Sequence, residues 1–196
     1  MKNRILVVID MQEDFVDGVL GSEAAQNITK KVGEYIANFD GFGVLYTLDS
    51  HEHPFYNDTI EGQRIPFHCP LGEDGWFLVE DVQEGLDIFE KRGGGRFIEA
   101  IEKDTFGSDL ELVAVLNEKF YNSKFDGNGE IILCGLCTDI CVVSNALILR
   151  AAFPYAEIKV IEDCCAGTSK ENHEAALTVM KANCIDVVGA DYAQEK

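Results

Sequence analysis

The chain is predicted to fold as an α/β unit, an open and mostly parallel sheet with helices on both faces. Short apolar runs enriched in β-branched residues recur at 5–9, 44–48, 131–136, 158–161 and 185–188, each too short for a helix and too continuous for a strand with one wet face. Segments of helical periodicity alternate with them, and that alternation is the pattern of a parallel sheet covered on both sides. With 196 residues, 46% of them hydrophobic and only 4 of them Pro, there is enough apolar material for one large core, so residues 1–196 are expected to form a single domain.

The first run, 5–9, ends directly at Asp10. A helix is expected over 24–39, followed by the strand 44–48 that leads to Asp49. The segment 50–75 is rich in His, Pro and acidic residues, too polar for core, and is expected to fold over the rim its strand reaches. Ala100-Ile101, ending at Lys103, is a weaker strand candidate. Helical spacing returns at 109–121, the run 131–136 follows, and a helix is expected over 138–152. After 158–161, the segment 169–182 carries Ala175, Ala176, Val179 and Met180 as an apolar stripe on one helical face. The run 185–188 closes the sheet, and only the tail Gln194-Glu195-Lys196 is expected to lack order. Ligands of an open parallel sheet bind beyond the carboxyl ends of its strands, so Asp10, Asp49, Lys103 and the residues after Leu136 are expected to converge.

The formal net charge is −19, from 35 acidic against 16 basic residues. Nucleic acid and anionic membranes are held by clustered Lys and Arg, so neither is an expected partner. No run approaches the ~20 apolar residues of a membrane span, and the apolar run after Met1-Lys2-Asn3-Arg4 is too short for a secretory signal. The 7 Cys are an odd number, and Cys134, Cys137, Cys141, Cys164 and Cys165 sit in apolar or motif segments, which points to a reducing cytoplasm rather than a disulfide framework. Cys134-x-x-Cys137 has no second pair at ligand spacing, which makes structural zinc or a redox dithiol the lesser reading.

The densest chemical signal is Cys134-Gly135-Leu136-Cys137-Thr138-Asp139-Ile140-Cys141, read as strand, tight turn and helix start. With Thr138 as N-cap, Cys141 lies about one turn in, where the positive helix end lowers a thiol's pKa and free N–H groups can bind an oxyanion. The plainer reading of such a Cys, and the better one for Cys134, Cys164, Cys165 and Cys184, is a small apolar residue packed under the sheet. A Cys nucleophile also needs a base. His173 lies inside a predicted helix, so no Cys/His dyad is evident; Asp10 stands at a strand end and serves either as that base or as a cap of the next turn.

Taken in order, Ile9-Asp10-Met11-Gln12-x-Asp14-Phe15, Lys103-x-Thr105-Phe106-Gly107-Ser108 and Gly135-Leu136-Cys137-Thr138-Asp139-Ile140-Cys141-Val142 resemble the three signatures of isochorismatase-like cysteine hydrolases. The likeness spans nearly the whole chain. It implies a six-stranded, Rossmann-like three-layer sheet and a triad of Asp10, Lys103 and Cys141, although Lys103 taken alone reads as a surface lysine. It also implies a cis peptide just before Cys137, with the N–H groups of Cys137 and Cys141 turned toward an oxyanion. The implied reaction is acyl transfer through a thioester, with Asp10 carrying the proton and Lys103 as a fixed charge favouring both anions.

Asp49-x-His51 with His68 offers a carboxylate and two imidazoles, a set suited to zinc and also to manganese or iron. The set resembles the metal site of nicotinamidases, in which the pyridine nitrogen reaches the ion. Glu61 is a further candidate ligand, whereas His53 matches no ligand position. Phe15, Ile65, Trp76 and Phe106 are candidate walls for a small planar substrate. Two departures broaden the expected substrate from nicotinamide to small amides like it: Ile65 stands where an aromatic residue is usual, and Gly72-Glu73 where Gly-Thr is usual. Relatives of this kind are often dimers or larger, so a homo-oligomer is expected. The alternatives are a metal-free hydrolase of a carbamoyl or ureido compound and a non-enzymatic binding module on the same fold.

Overall fold

The computed structural model describes residues 4–93, 96–108, 110–122 and 129–192; the start Met1-Lys2-Asn3 and the tail Gln194-Glu195-Lys196 lie outside the described residues. Strands β1 (Arg4–Ile9), β2 (Gly43–Asp49), β3 (Phe97–Lys103), β4 (Glu130–Leu136), β5 (Glu157–Ala166) and β6 (Asp186–Val188) form one sheet. Its order is β3-β2-β1-β4-β5-β6, with every neighbouring pair parallel, as the sequence predicts. β1 and β4 occupy the centre and bury every residue, which is why they read as apolar runs after their first residues, Arg4 and Glu130, a buried ion pair. β3 extends the short candidate at Ala100-Ile101 to 7 residues; it lies at the sheet's edge and buries only Ile101 and Lys103, so its pattern is diluted by exposed positions.

The helices are α1 (Glu13–Val16), α2 (Glu23–Gln26), α3 (Thr29–Asn38), α4 (Glu80–Lys91), α5 (Glu111–Asn122), α6 (Val143–Ala152) and α7 (Lys170–Ala182). The single helix expected over 24–39 is interrupted: Ser22 caps α2, and the chain restarts at Thr29 as α3. The segment predicted helical from Asp109 begins at Glu111 as α5, and Asp109 itself lies outside the described residues. α4 was not anticipated. Its buried Val82, Leu86 and Phe89 recur at i, i+4 and i+7, a stripe narrow enough to be masked by the acidic residues between them. Applied to this strand order, the right-handed rule for parallel crossovers assigns α3 and α4 to one face and α5, α6 and α7 to the other; α3 packs on α4 as α6 does on α7. No helix of the described residues is long and apolar enough to cross a membrane.

The strand order reverses at β1, which lies between β2 and β4, so the crevice at these carboxyl ends is the place where such a sheet takes ligands. Gly135 sets its width. It has φ +120, and a Cβ there would stand 2.0 Å from the Ile9 carbonyl oxygen. Gly135→Ala should therefore lose about 1–3 kcal/mol to backbone strain alone, with the clash in addition. A thermal melt that left the midpoint unchanged would show that β1 and β4 tolerate separation.

Candidate active site

β1 ends where Asp10 adopts a left-handed backbone, φ 47, a conformation that Asp tolerates better than most residues. This turns the chain out of the sheet while two bonds to β2 hold the carboxyl group: the Asp10 N–H donates to Thr47 Oγ1 at 3.1 Å, and that hydroxyl donates to Asp10 Oδ1 at 2.5 Å. On β3, Lys103 is paired in register with Asp49 of β2. Its side chain reaches across that strand, placing Nζ 3.0 Å from Asp49 Oδ1 and 2.7 Å from Asp10 Oδ2. Nζ also lies 3.8 Å from Cys141 Sγ. One ammonium therefore touches both carboxylates and the thiol, and all four side chains are buried. Burial alone would discharge Lys103; the charges of Asp10 and Asp49 reverse this and hold it well above its ordinary pKa.

Cys141 reaches the group from a wide π-helical turn, Thr138–Val142, between β4 and α6. π-turns of this kind recur at functional sites. The peptide Leu136–Cys137 is cis, as the resemblance implies. Thr138 does not cap the turn; its hydroxyl pairs with His173 Nδ1 on α7 at 2.8 Å, and Cys137 takes the cap position. The expected lowering of the Cys141 pKa is corrected in sign. Burial pushes the thiol well up, Lys103 opposes this, and Asp10 and Asp49 add to it. Burial likewise raises Asp10 despite Lys103. The resting group is thus a buried thiol and a carboxyl group held by one ammonium, and the raised basicity of Asp10 suits it to accept a proton.

The other oxygen of Asp49 faces a second group. Oδ2 lies 3.1 Å from His51 Nε2 and 3.0 Å from His68 Nε2. Glu61 Oε1 lies 3.6 Å and 3.7 Å from the same two nitrogens, is buried and has no hydrogen-bond partner among the described residues. The ligand atoms of all four residues lie within 4.8 Å of one another. His68 Nδ1 is 2.8 Å from the Pro66 carbonyl, which only accepts, so Nδ1 carries a proton and Nε2 is left to present a lone pair toward Asp49. Lone pairs converge here, and a positive charge must resolve them. Burial would push the His68 pKa down, but Asp49 and the Pro66 carbonyl raise it overall, so a proton is one answer. A divalent transition metal is the other, and two imidazole nitrogens with two carboxylates are a donor set that fits it.

A cavity of about 400 Å³ opens between the two groups, lined by Cys141 and Cys137, by Asp49, Glu61 and His68, and by Phe15, Ile65 and Phe106. Of the four candidate walls, Trp76 is not among its lining residues: its indole N–H donates to Ser50 Oγ at 2.7 Å and its ring packs on Phe77. His53 stays out of the cluster and stacks on Phe67 at 3.7 Å. Cys184, expected under the sheet, is exposed in the turn before β6. Thr47 was passed over, although a hydroxyl two residues before Asp49 on an otherwise apolar strand is a readable signal. Arg64 also lines the cavity, exposed at its edge.

The isochorismatase domain model matches residues 4–191. An uncharacterised isochorismatase family protein, PncA, of Bacillus subtilis is 31% identical over 194 residues, covering 89% of this chain and 92% of the relative. The crystal structure of nicotinamidase PncA from Bacillus subtilis superposes with a TM-score of 0.75 at 26% identity, over 95% of this chain and 99% of that one. The pyrazinamidase of Pyrococcus horikoshii, crystallised in complex with zinc, shares the fold with a TM-score of 0.74 at 24% identity, over 95% of this chain and 99% of that one.

Proposed function

The chain belongs to the isochorismatase family, and on that premise we propose that it is a cysteine amidohydrolase that converts a small amide of the nicotinamide kind to carboxylate and ammonia. The observation that carries this reading is the Lys103 ammonium, which touches Asp10 and Cys141 together beside a cavity sized for a small planar molecule. Asp10 takes the thiol proton, and the Cys141 sulfur attacks the amide carbon. The N–H groups of Cys137 and Cys141 hold the oxyanion. Asp10 returns the proton to the departing nitrogen, ammonia leaves, and a thioester remains. Water, giving its proton to Asp10, then attacks the thioester; the carboxylate departs and Cys141 regains its proton. Lys103 keeps a positive charge beside both developing anions throughout.

Asp49, His51, His68 and Glu61 would hold a divalent metal, zinc before manganese or iron, which when bound supplies a Lewis-acid anchor for a ring nitrogen or carbonyl of the substrate. Phe15 and Phe106 supply apolar walls. A carbamoyl or ureido substrate is the second reading, favoured by Ile65 in place of an aromatic wall and by the guanidinium of Arg64 at the edge. Ammonia release from a panel of pyridine carboxamides, aliphatic amides and carbamoyl compounds separates the readings, and inertness toward all of them would leave a binding module.

Asp10→Asn should lower turnover by roughly two to four orders of magnitude, the scale of a lost general base. Lys103 keeps Asp49 at 3.0 Å as its partner, so the fold should survive the exchange. Steady-state kinetics beside a thermal melt checks both, and a variant that unfolds instead would make Asp10 a structural residue.

A further inference from the structure

Two polar residues of the segment that leaves β1 take no part in these proton transfers. Gln12 is fully buried. Its amide nitrogen donates to the Asp49 carbonyl at 2.9 Å and to the Trp76 carbonyl at 2.8 Å, and its amide oxygen accepts the Asp49 N–H at 2.7 Å. The last β1–β2 partners are Val8 and Tyr46, so beyond them β2 has lost its neighbour on that side. The Gln12 side chain replaces it, offering Asp49 one donor and one acceptor as a strand would. Two residues on, Asp14 Oδ2 accepts the Cys69 N–H at 2.7 Å. Cys69 follows His68, has a left-handed backbone at φ 45, and accepts the His51 N–H on its own carbonyl at 3.1 Å.

We propose that Gln12 and Asp14 are positioning residues for the metal cluster, fixing the backbones of Asp49 and of the His51 and His68 loops so that three of the four ligand atoms converge before any ion arrives. The inference rests on the reading that the cluster holds a divalent metal. Asp10, Gln12 and Asp14 then divide one short segment between two tasks, proton transfer and ligand placement. Partners that orient ligands typically contribute roughly 10- to 100-fold in metal affinity.

The test is zinc affinity of the purified full-length protein, by competition with a chromophoric chelator, for wild type, Gln12→Ala, Asp14→Ala and Asp14→Asn. Circular dichroism melts of the metal-free forms run alongside. Gln12→Ala and Asp14→Ala should bind zinc roughly 10- to 100-fold more weakly. Asp14→Asn should stay near wild type, because its side-chain oxygen still accepts the Cys69 N–H. Gln12 is buried deeply enough that its loss endangers the fold; Asp14 is half-buried, so the Ala and Asn pair at that position decides the matter if Gln12→Ala does not fold. Folded Asp14→Ala with wild-type zinc affinity, or Asp14→Asn as weak as Asp14→Ala, overturns the inference while the metal reading stands. Wild type that binds no zinc overturns both.

Discussion

Cys141→Ala should abolish amide hydrolysis, with turnover falling by roughly four to six orders of magnitude, the scale on which removal of a covalent nucleophile acts. The side chain is buried in the turn between β4 and α6, so the exchange leaves at most a small void, costing about 1–2 kcal/mol. A folded protein without turnover is the expected outcome. Ammonia release and a thermal melt on the same preparation measure the two separately. In the proposed mechanism the thiol, whose pKa burial pushes up, becomes nucleophilic when Asp10 removes its proton, so no other cysteine should substitute for it. Cys137 lines the same cavity, but burial raises it to about 12 and no hydrogen bond among the described residues joins its thiol to a base. Wild-type turnover in Cys141→Ala would remove the thioester route from consideration.

The expectations that held and those that failed have physical reasons. The central strands were legible because burial on both faces leaves β1 and β4 apolar beyond their first residues, Arg4 and Glu130, which pair with each other at 2.9 Å. The rim positions followed from topology, since Asp10, Asp49 and Lys103 each stand at a strand end. That Asp49 serves the lysine with one oxygen and the imidazoles with the other was not legible, because it depends on β2 lying between β1 and β3. Nor was the sign of the Cys141 shift: a helix-like turn argues for a lower pKa, and only the packed site shows that desolvation outweighs it. Trp76 misled because an aromatic residue in a loop near a rim looks like a wall, whereas its N–H was needed by Ser50.

The metal separates this reading from that of a hydrolase working with the triad alone. Purified protein should carry close to one divalent transition metal per chain, and dialysis against a strong chelator should suppress hydrolysis of a pyridine carboxamide until zinc is restored. His51→Ala and His68→Ala are the informative variants. Asp49→Ala would strip Lys103 of a partner as well as the cluster of a ligand, so its effect could not be assigned to either. Each histidine contributes one nitrogen to the cluster, and its nitrogen lies against the Asp49 oxygen that faces away from Lys103. Losing a ligand should cost at least the roughly 10- to 100-fold in affinity that loss of an orienting partner does. Elemental analysis of the two variants should therefore find little metal, with their melting changed less than their metal content. Glu61→Gln keeps an oxygen at the ring of ligands but removes its charge, so partial retention there would mark the carboxylate as the fourth ligand. Wild type that arrives without metal, binds none on titration and hydrolyses amides at full rate after chelation would leave His68 to take the proton that its surroundings favour. The substrate search would then move to compounds that the apolar walls and Arg64 recognise without an ion.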